Sequence, residues 1–223
     1  MIFLSKAFTI AWKDALSEAR AKEVIPSVLI FSILVMVIFN FAFSASQEQM
    51  ILLAPGILWT TFVFAGMLSL NRSFVSEKEQ GCLEALMICP VNREVIYIGK
   101  MLGNLIFLVV IETITFPIFI FLFNLPIPPP QLVVITILAT VGFIVTGTLF
   151  SALAVNTKVR EMILPLLFLP IVTPVIIAAV EASKLALAGE SWSSLLPWLQ
   201  IMIAFDIIFL VVSFLVFSYV IEE

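Results

Sequence analysis

The composition of this 223-residue chain is typical of a membrane protein. Hydrophobic residues make up 62% of it and charged residues 12%, against about 25% charged residues in soluble domains. The chain has no His and no GxxxxGK[ST] phosphate loop, which excludes a Ser/His/Asp catalytic site and the usual form of ATP binding. Its apolar runs are continuous, and backbone polar groups must be paired inside lipid, so the sequence predicts an all-α membrane protein rather than a β-barrel. The net charge of −4 carries little information, since only loop charges meet water.

The first 22 residues are predicted to form an amphipathic helix, because apolar residues recur there at steps of three and four. These apolar residues are Leu4, Phe8, Trp12, Ala15, Leu16 and Ala19. The polar residues that point elsewhere are Lys6, Lys13, Asp14, Ser17 and Arg20. We expect the helix to lie in the membrane interface before the first span, with packing against a soluble partner as the alternative. The segment is charged throughout, so no cleavable signal peptide is expected.

Six apolar stretches follow, each long enough for an α-helix to cross a hydrocarbon core about 30 Å thick. They cover residues 24–45, 51–71, 101–123, 131–155, 161–180 and 198–220. Ten of the eleven Lys and Arg residues lie before the first stretch or in the loops after the second and fourth. These ten are Lys6, Lys13, Arg20, Lys22, Arg72, Lys78, Arg93, Lys100, Lys158 and Arg160, and the eleventh is Lys184. Basic loops stay on the cytoplasmic side, so both termini are predicted to be cytoplasmic.

The charged loop at 72–99 is the only long loop predicted on the cytoplasmic side. Glu77, Lys78 and Glu79 indicate that the second span continues as a solvated helix beyond the membrane. Gly81 is predicted to turn the chain, since glycine readily adopts a positive φ. A short amphipathic helix is then expected, with Leu83, Leu86 and Met87 as its apolar stripe and Pro90 preventing further extension. An ordinary connector is the alternative.

Two cysteines, Cys82 and Cys89, lie seven residues apart in this loop. A disulfide is not expected in a reducing compartment. A zinc site would lack ligands, because the chain has no His and no CxxC motif. We therefore interpret them as reduced thiols and expect no metal site.

Prolines mark two further segments. The extracytoplasmic loop 124–130 is expected to be a stiff cap, because it contains Pro126, Pro128, Pro129 and Pro130. The fifth span is expected to be bent or broken at Pro165, Pro170 and Pro174, since each proline removes an intrahelical hydrogen bond. Such breaks are found along transport paths and also in helices with a purely packing role. No internal repeat is visible, so residues 1–223 are treated as a single transmembrane domain.

Two acids lie inside predicted spans: Glu112 near the middle of the third and Asp206 in the outer third of the sixth. Insertion scales assign an intramembrane acid a cost of about 2.5–3.5 kcal/mol, and such residues are candidates for function. Apolar neighbours easily offset that cost. Two interpretations stay open: a protonated acid bonded to a neighbouring helix, or the polar lining of a substrate path.

Three ordered blocks of the sequence carry a family resemblance. They are GILWTTFVFAGMLSLNRSFVSEKEQGCLEALMICP (Gly56–Pro90), GTLFSALAVNTKVREMILPLLFLPIVTPVIIA (Gly147–Ala178) and FDIIFLVVSFLVFSYVIEE (Phe205–Glu223). The chain resembles the cytochrome c maturation protein B family (CcmB, also called haem exporter protein B), of the ABC-2 type of permease. The blocks cover well over a third of the chain, and the charged SFVSEKEQGCLEAL loop is their most specific part.

The resemblance implies a membrane subunit of an ABC transporter-like complex in the bacterial inner membrane. It implies a separate ATP-binding subunit (CcmA), the haem-handling protein CcmC and the small protein CcmD as partners, besides the lipid bilayer; no nucleic acid is expected. ABC transporters need two membrane bundles, so we expect two copies of this chain, with a hetero-pair as the alternative. ATP would bind the partner subunit, and haem would bind this chain only transiently.

In that setting the short helix after Gly81 resembles a coupling helix that inserts into the ATPase. Leu83, Leu86 and Met87 would supply its buried contact. Its polar rim would be formed by Glu77, Glu79, Glu84 and Arg93. The absence of His and of an intramembrane base disfavours a stable haem pocket, so we favour an energy-transducing role in haem delivery or in the release of haem-loaded chaperone. Direct export of haem or another small molecule past Glu112, and a non-transporting scaffold, are the alternatives.

Overall fold

The computed structural model describes residues 2–20, 24–43, 47–79, 81–82, 88, 91–125, 129–155 and 164–222. These residues form seven α-helices and one π-helical turn, Leu164–Phe168. The α-helices are α1 (Ile2–Arg20), α2 (Val24–Ala42), α3 (Gln47–Glu79), α4 (Arg93–Leu122), α5 (Pro130–Val155), α6 (Leu169–Leu187) and α7 (Trp192–Glu222). Six of them, α2 to α7, are long and apolar enough to cross a membrane. The predicted fold class, an all-α protein with six membrane spans, is confirmed.

Several helices are longer than the predicted apolar stretches, because charged residues at the ends of those stretches are also helical. α3 extends to Glu79, as predicted, and α4 begins at Arg93, eight residues before the expected start of its span. Lys100 was assigned to a loop, and this was wrong: it lies in the second turn of α4. The α7 helix begins at Trp192, so Asp206 is the fifteenth of its 31 residues and falls at its middle rather than in its outer third.

Residues with a positive φ follow three of these helices. Gly81 has φ +69° after α3, Asn124 has φ 48° after α4, and Gly189 has φ +79° after α6. The left-handed conformation closes the last helical turn, and glycine adopts it without the steric cost that a Cβ brings. At the other end of a helix, Pro130 begins α5, where its missing N–H has no intrahelical partner to lose.

The α5 helix is the centre of the bundle and contacts α3, α4, α6 and α7. Two of its glycine-mediated contacts bring helices close together: Gly147 of α5 lies against Leu70 of α3, and Gly66 of α3 lies against Phe143 of α5. The Ser151 hydroxyl of α5 also donates a 2.6 Å hydrogen bond to the carbonyl of Leu70. Small residues that allow close backbone approach are the usual means of packing helices in lipid.

Candidate coupling region and intramembrane acids

The charged C-terminal extension of α3 ends in a tight turn. The Gly81 N–H donates to the carbonyl of Lys78 at 3.1 Å, and the positive φ predicted for Gly81 is confirmed. Glu77 and Glu79 belong to the helix by their backbone, and their side chains are outside the described residues. Also outside the described residues are Leu83, Glu84, Leu86, Met87, Cys89 and Pro90. Their coupling roles therefore stay predictions.

Between the two helices, the described residues Gly81, Cys82 and Ile88 are exposed. Ile88 is 85% exposed, an unusual state for a large aliphatic side chain outside the membrane-length helices. Ile88 was not predicted from the sequence, because it falls outside the spacing of Leu83, Leu86 and Met87. Where the loop returns to the bundle, an apolar side chain is thus available to a partner.

Arg93 ties the first turn of α4 to the end of α7. Its guanidinium donates a 3.2 Å hydrogen bond to the carbonyl of Ser218. This carbonyl lies near the C-terminus of α7, where the helix dipole favours a cation. Arg93 was expected in the polar rim of the coupling helix; it lies in the first turn of α4, half-buried, with one hydrogen bond to α7.

One turn later, Tyr97 is completely buried among helices. Its hydroxyl donates a 2.9 Å hydrogen bond to the carbonyl of Val145 in α5. Its ring centroid lies 5.1 Å from that of Phe217 in α7, and Phe217 lies 6.4 Å from Phe74 in α3. Phe74, Tyr97 and Phe217 form the aromatic cluster that joins α3, α4 and α7 near the loop.

The α1 helix packs on the first turns of α4. Ala7, Ile10 and Ala11 are its buried residues, and they lie over two glycines spaced one turn apart, Gly99 and Gly103. A Cβ built on Gly99 would lie 2.7 Å from Cβ of Ile10, so a side chain there would displace α1. Glycines at this four-residue spacing are typical of close helix packing in membranes. The glycine spacing is visible in the sequence, although the contact was not predicted from it.

A buried ion pair lies in the same contact. Lys100 Nζ is 3.0 Å from Asp14 Oδ2, and the Lys100 side chain is 2% exposed. Lys100 Nζ also lies 5.3 Å from the ring centroid of Phe74, within the range of a cation–π contact. Lys13 Nζ reaches the other carboxyl oxygen of Asp14 at 3.1 Å. Asp14 is therefore held by two cations, one buried in the bundle and one at its surface.

Glu18 lies one turn beyond Asp14 on α1. Its pKa is raised from 4.5 to about 7, mainly by burial and also by the negative charge of Asp14, while the positive charge of Lys100 acts in the opposite direction. The Glu18 Oε2 atom is buried and has no hydrogen-bond partner among the described residues. The carboxyl group therefore stays protonated up to a higher pH than an exposed glutamate would.

The opposite face of α1 is apolar and exposed. Leu4, Phe8 and Trp12 are 69%, 60% and 58% exposed. The six apolar residues identified in the sequence thus mark mainly this outer face, while α4 takes the narrower face around Ala7 and Ala11.

Glu112 is 5% exposed and faces α5. The Thr140 hydroxyl donates a 2.7 Å hydrogen bond to Glu112 Oε1. Both residues line a cavity of about 10 Å³, whose other walls are apolar. The further lining residues are Trp59, Phe62, Val63, Leu108, Ala139, Phe143, Val172, Val175 and Ile176. A cavity of this volume holds about one water molecule.

Asp206 of α7 is 9% exposed and packs against Gly142 of α5. Its Oδ1 atom is buried without a hydrogen-bond partner. A Cβ on Gly142 would overlap this oxygen, so the glycine leaves the space that the carboxyl group occupies. Glu112 and Asp206 thus contact α5 two residues apart, at Thr140 and Gly142, but only Glu112 receives a hydrogen bond from it.

The three prolines of the fifth span lie at and after a change of helix type. Pro165 is in the π-helical turn Leu164–Phe168, Pro170 is in the first turn of α6, and Pro174 is inside that helix. Val172, Val175 and Ile176, from the same stretch, contribute one wall of the cavity beside Glu112. Among the residues described, no group of three or more His, Cys, Asp and Glu side chains could hold a metal ion.

Comparisons with known proteins agree along most of the chain. The model of a family described as CcmB protein matches residues 5–222. The chain is 29% identical over 172 residues to heme exporter protein B of Pseudomonas aeruginosa, which covers 77% of each protein. It is 32% identical over 162 residues to heme exporter protein B of Rhodobacter capsulatus, covering 72% of this chain and 74% of that protein. The corresponding protein of Paracoccus denitrificans is 30% identical, with the same coverage.

Proposed function

Because the chain belongs to the CcmB family, we propose that it is the membrane (permease) subunit of an ABC transporter-like haem export complex used in cytochrome c maturation. Its relatives carry the name heme exporter protein B, which supports haem as the substrate handled by the complex. In this proposal a separate, CcmA-like subunit hydrolyses ATP, and this chain carries no enzyme activity. CcmC-like and CcmD-like proteins complete the complex in the inner membrane, with a second copy of this chain.

One observation carries the proposal: the loop between α3 and α4 is attached to the bundle by rigid structure on both sides. α3 passes beyond its apolar part as continuous helix to Glu79. On the other side, α4 begins at Arg93, which is bonded to the carbonyl of Ser218. A displacement of the loop by an ATPase would therefore tilt helices as bodies rather than bend a flexible connector.

The contact with the ATPase is assigned to the loop itself. Leu83, Leu86 and Met87 provide the apolar contact, and we add Ile88 because it is 85% exposed. Glu77, Glu79 and Glu84 form the polar rim. Arg93 is assigned to the bundle, since its guanidinium is bonded to α7.

An energy-transducing role is favoured over a path for haem through this chain. The cavity beside Glu112 has room for about one water molecule, and its polar wall is already bonded internally, from Thr140 to Glu112. Haem is far larger than this space. ATP hydrolysis would then move the helices to deliver haem or to release haem-loaded chaperone from the CcmC-like partner.

The outer face of α1 completes the arrangement at the membrane. Its exposed apolar residues include Phe8 and Trp12, and Lys13 stands beside them. Helices of this kind bury the apolar face at the boundary of acyl chains and headgroups. We assign this face to the cytoplasmic surface of the inner membrane, with both termini on the cytoplasmic side.

The loop assignment is tested with Leu83→Glu and Ile88→Glu, in cells that have no other copy of the gene. Each charge should abolish an apolar contact at the centre of an interface, where single residues are worth about 2 kcal/mol or more. We expect loss of the ATPase subunit from the purified complex and at least about a tenfold fall in haem-stained c-type cytochromes.

Leu83→Met and Ile88→Leu are the matched controls, since they keep the apolar area and should keep both properties. Immunoblots of membranes confirm that every variant is inserted. Full ATPase binding together with normal cytochrome levels in both glutamate variants would refute the coupling role. Normal cytochrome levels with no bound ATPase would support the scaffold alternative.

A further inference from the structure

We propose that Lys100 and Asp14 are positioning residues: their buried ion pair fixes α1 to the first turns of α4, so that α1 moves with α4 when the loop is displaced. The proposal rests on the coupling role proposed above. It adds a second moving element, α1, which was predicted from the sequence to lie in the membrane interface.

The surface of α4 on which α1 packs has no space for a larger side chain. Gly99 and Gly103 present bare backbone to α1, and a Cβ on either would lie 2.7 Å from Ile10 or 3.1 Å from Asp14, respectively. Ala7 and Ala11 are fully buried against this surface. Close-packed contacts of this kind have discrete arrangements and do not deform continuously. The α1 helix is therefore either docked on α4 or displaced from it.

The ion pair favours one specific arrangement of α1 on α4. Lys100 is 2% exposed, and its Nζ lies 3.0 Å from Asp14 Oδ2. Removing one partner of a buried pair leaves an uncompensated charge and is strongly destabilising, whereas removing both is much less so. The pair therefore favours one register of α1 on α4 over others that would bury Lys100 without its acid.

Lys100 also belongs to a larger set on α4. Four residues recur at helical spacing and each bonds a neighbouring helix: Arg93 bonds Ser218 of α7, Tyr97 bonds Val145 of α5, Lys100 bonds Asp14 of α1, and Asn104 bonds Thr148 of α5. Steps of four, three and four residues place all of them on one side of the helix. The part of α4 that directly follows the loop is thus bonded to three other helices, and α1 is one of them.

The first experiment measures docking and does not depend on the function. Ala11→Cys is introduced with Cys82→Ser and Cys89→Ser, and its labelling by a maleimide is followed in purified, detergent-solubilised protein. Ala11 is fully buried in the contact, so the cysteine should be protected. Adding Lys100→Met or Asp14→Asn should raise the labelling rate at least about tenfold, because the buried pair loses one of its two partners.

Matched variants separate docking from general damage. Lys100→Arg keeps the charge and should keep the cysteine protected, and the double change Lys100→Met with Asp14→Asn should label more slowly than either single change. Ser17→Cys, on the exposed side of α1, should be labelled equally in every background. Unchanged protection of Ala11→Cys in both single variants would overturn the docking role of the pair.

The second experiment separates positioning from folding, in the complete complex. With Lys100→Met we expect the ATPase subunit to bind and to hydrolyse ATP at close to the normal rate, while c-type cytochromes fall by about fivefold or more; Lys100→Arg should restore them. If Ala11→Cys is labelled rapidly in the Lys100→Met protein while cytochrome levels stay normal, the positioning role is overturned. If the unaltered complex binds no ATPase, the coupling role itself fails, and the labelling result still stands.

Discussion

The N-terminal end of α4, next to the loop, and the middle of the bundle are held together in different ways. At the N-terminal end of α4, Arg93, Tyr97, Lys100 and Asn104 bond three neighbouring helices within four turns. In the middle of the bundle, Glu112 accepts a hydrogen bond from Thr140, and no hydrogen bond to Asp206 is seen among the described residues. Other polar contacts between helices are single and far apart, such as Trp59 to Ser183 and Asn40 to the carbonyl of Leu122. Four polar contacts on one short segment are found where α4 leaves the loop.

In the proposed coupling role, this difference determines where movement is transmitted. Several directed bonds on one short segment make helices move together, while apolar contacts specify relative position less strictly. A motion that begins in the loop would be shared by α4, α1, α5 and α7 at the ends that lie next to the loop. The substitutions below change either the packing near the loop end of α4 or the packing in the middle of the bundle, in order of decreasing expected effect.

The largest effect is expected from Gly99→Leu, which places a side chain where Ile10 of α1 now lies. The contact between α1 and α4 has no room for this side chain, so α1 should dissociate from α4. We expect near-complete loss of c-type cytochromes, with α1 cut by protease in inside-out vesicles at least about tenfold faster than in the unaltered protein.

Gly56→Ala is the control for this change. Gly56 also lies in a helix, but a Cβ there would meet nothing within 4 Å. Alanine is a better helix former than glycine by about 1 kcal/mol, so function should be normal and stability equal or higher. Normal cytochrome levels in Gly99→Leu would show that docked α1 is not needed.

A moderate effect is expected from Gly142→Ala in the middle of the membrane. Its Cβ would overlap Asp206 Oδ1, and overpacking of this kind costs about 1–3 kcal/mol. The melting temperature in detergent should fall, and adding Asp206→Ser should recover most of the loss by removing that oxygen. If Gly142→Ala lowers the melting temperature equally in the Asp206→Ser background, the packing assigned to Gly142 and Asp206 is contradicted.

A smaller, pH-dependent effect is expected at Glu18. Its pKa in the folded protein is about 7, above the ordinary 4.5. Between these values the docked helix keeps a proton that the undocked helix releases, so docking weakens as pH rises from about 4.5 to about 7 and is constant above. Labelling of Ala11→Cys, corrected for thiol reactivity with Ser17→Cys, should therefore rise with pH over this window.

Glu18→Gln supplies the control, since it cannot ionise. The corrected labelling rate should then be independent of pH. An identical pH dependence in Glu18→Gln would assign the titration to another group, and no pH dependence in the unaltered chain would refute the role of Glu18.

The smallest effect is expected from Glu112→Gln. Glutamine keeps an acceptor for the Thr140 hydroxyl, so cytochrome levels should change by less than about twofold. Glu112→Leu should lower the melting temperature without abolishing function. Loss of cytochromes in both variants at normal membrane levels would favour a substrate path past Glu112 over the transducing role.

The sequence predicted the all-α fold and six spans because continuous apolar length alone determines membrane helices. It also predicted the extension of α3 to Glu79 and the positive φ of Gly81, since both depend on local chemistry. It did not predict the docking of α1, because the strongest apolar residues of that helix, such as Trp12, mark the face turned away from α4. Lys100 was interpreted as a loop charge because nothing local reveals that Asp14 lies beside it.

The most direct test of the account is the side of the membrane on which the loop lies. Cys82, exposed in the structure, is the natural probe once Cys89→Ser is introduced, and Ser191→Cys in a Cys82→Ser, Cys89→Ser background is the control for the opposite side. With an impermeant maleimide we expect Cys82 to be labelled in inside-out vesicles but not in intact spheroplasts, and the Ser191→Cys protein to show the reverse. Addition of the ATPase subunit should slow the labelling of Cys82. Labelling of Cys82 in intact spheroplasts would place the loop on the periplasmic side and contradict the account.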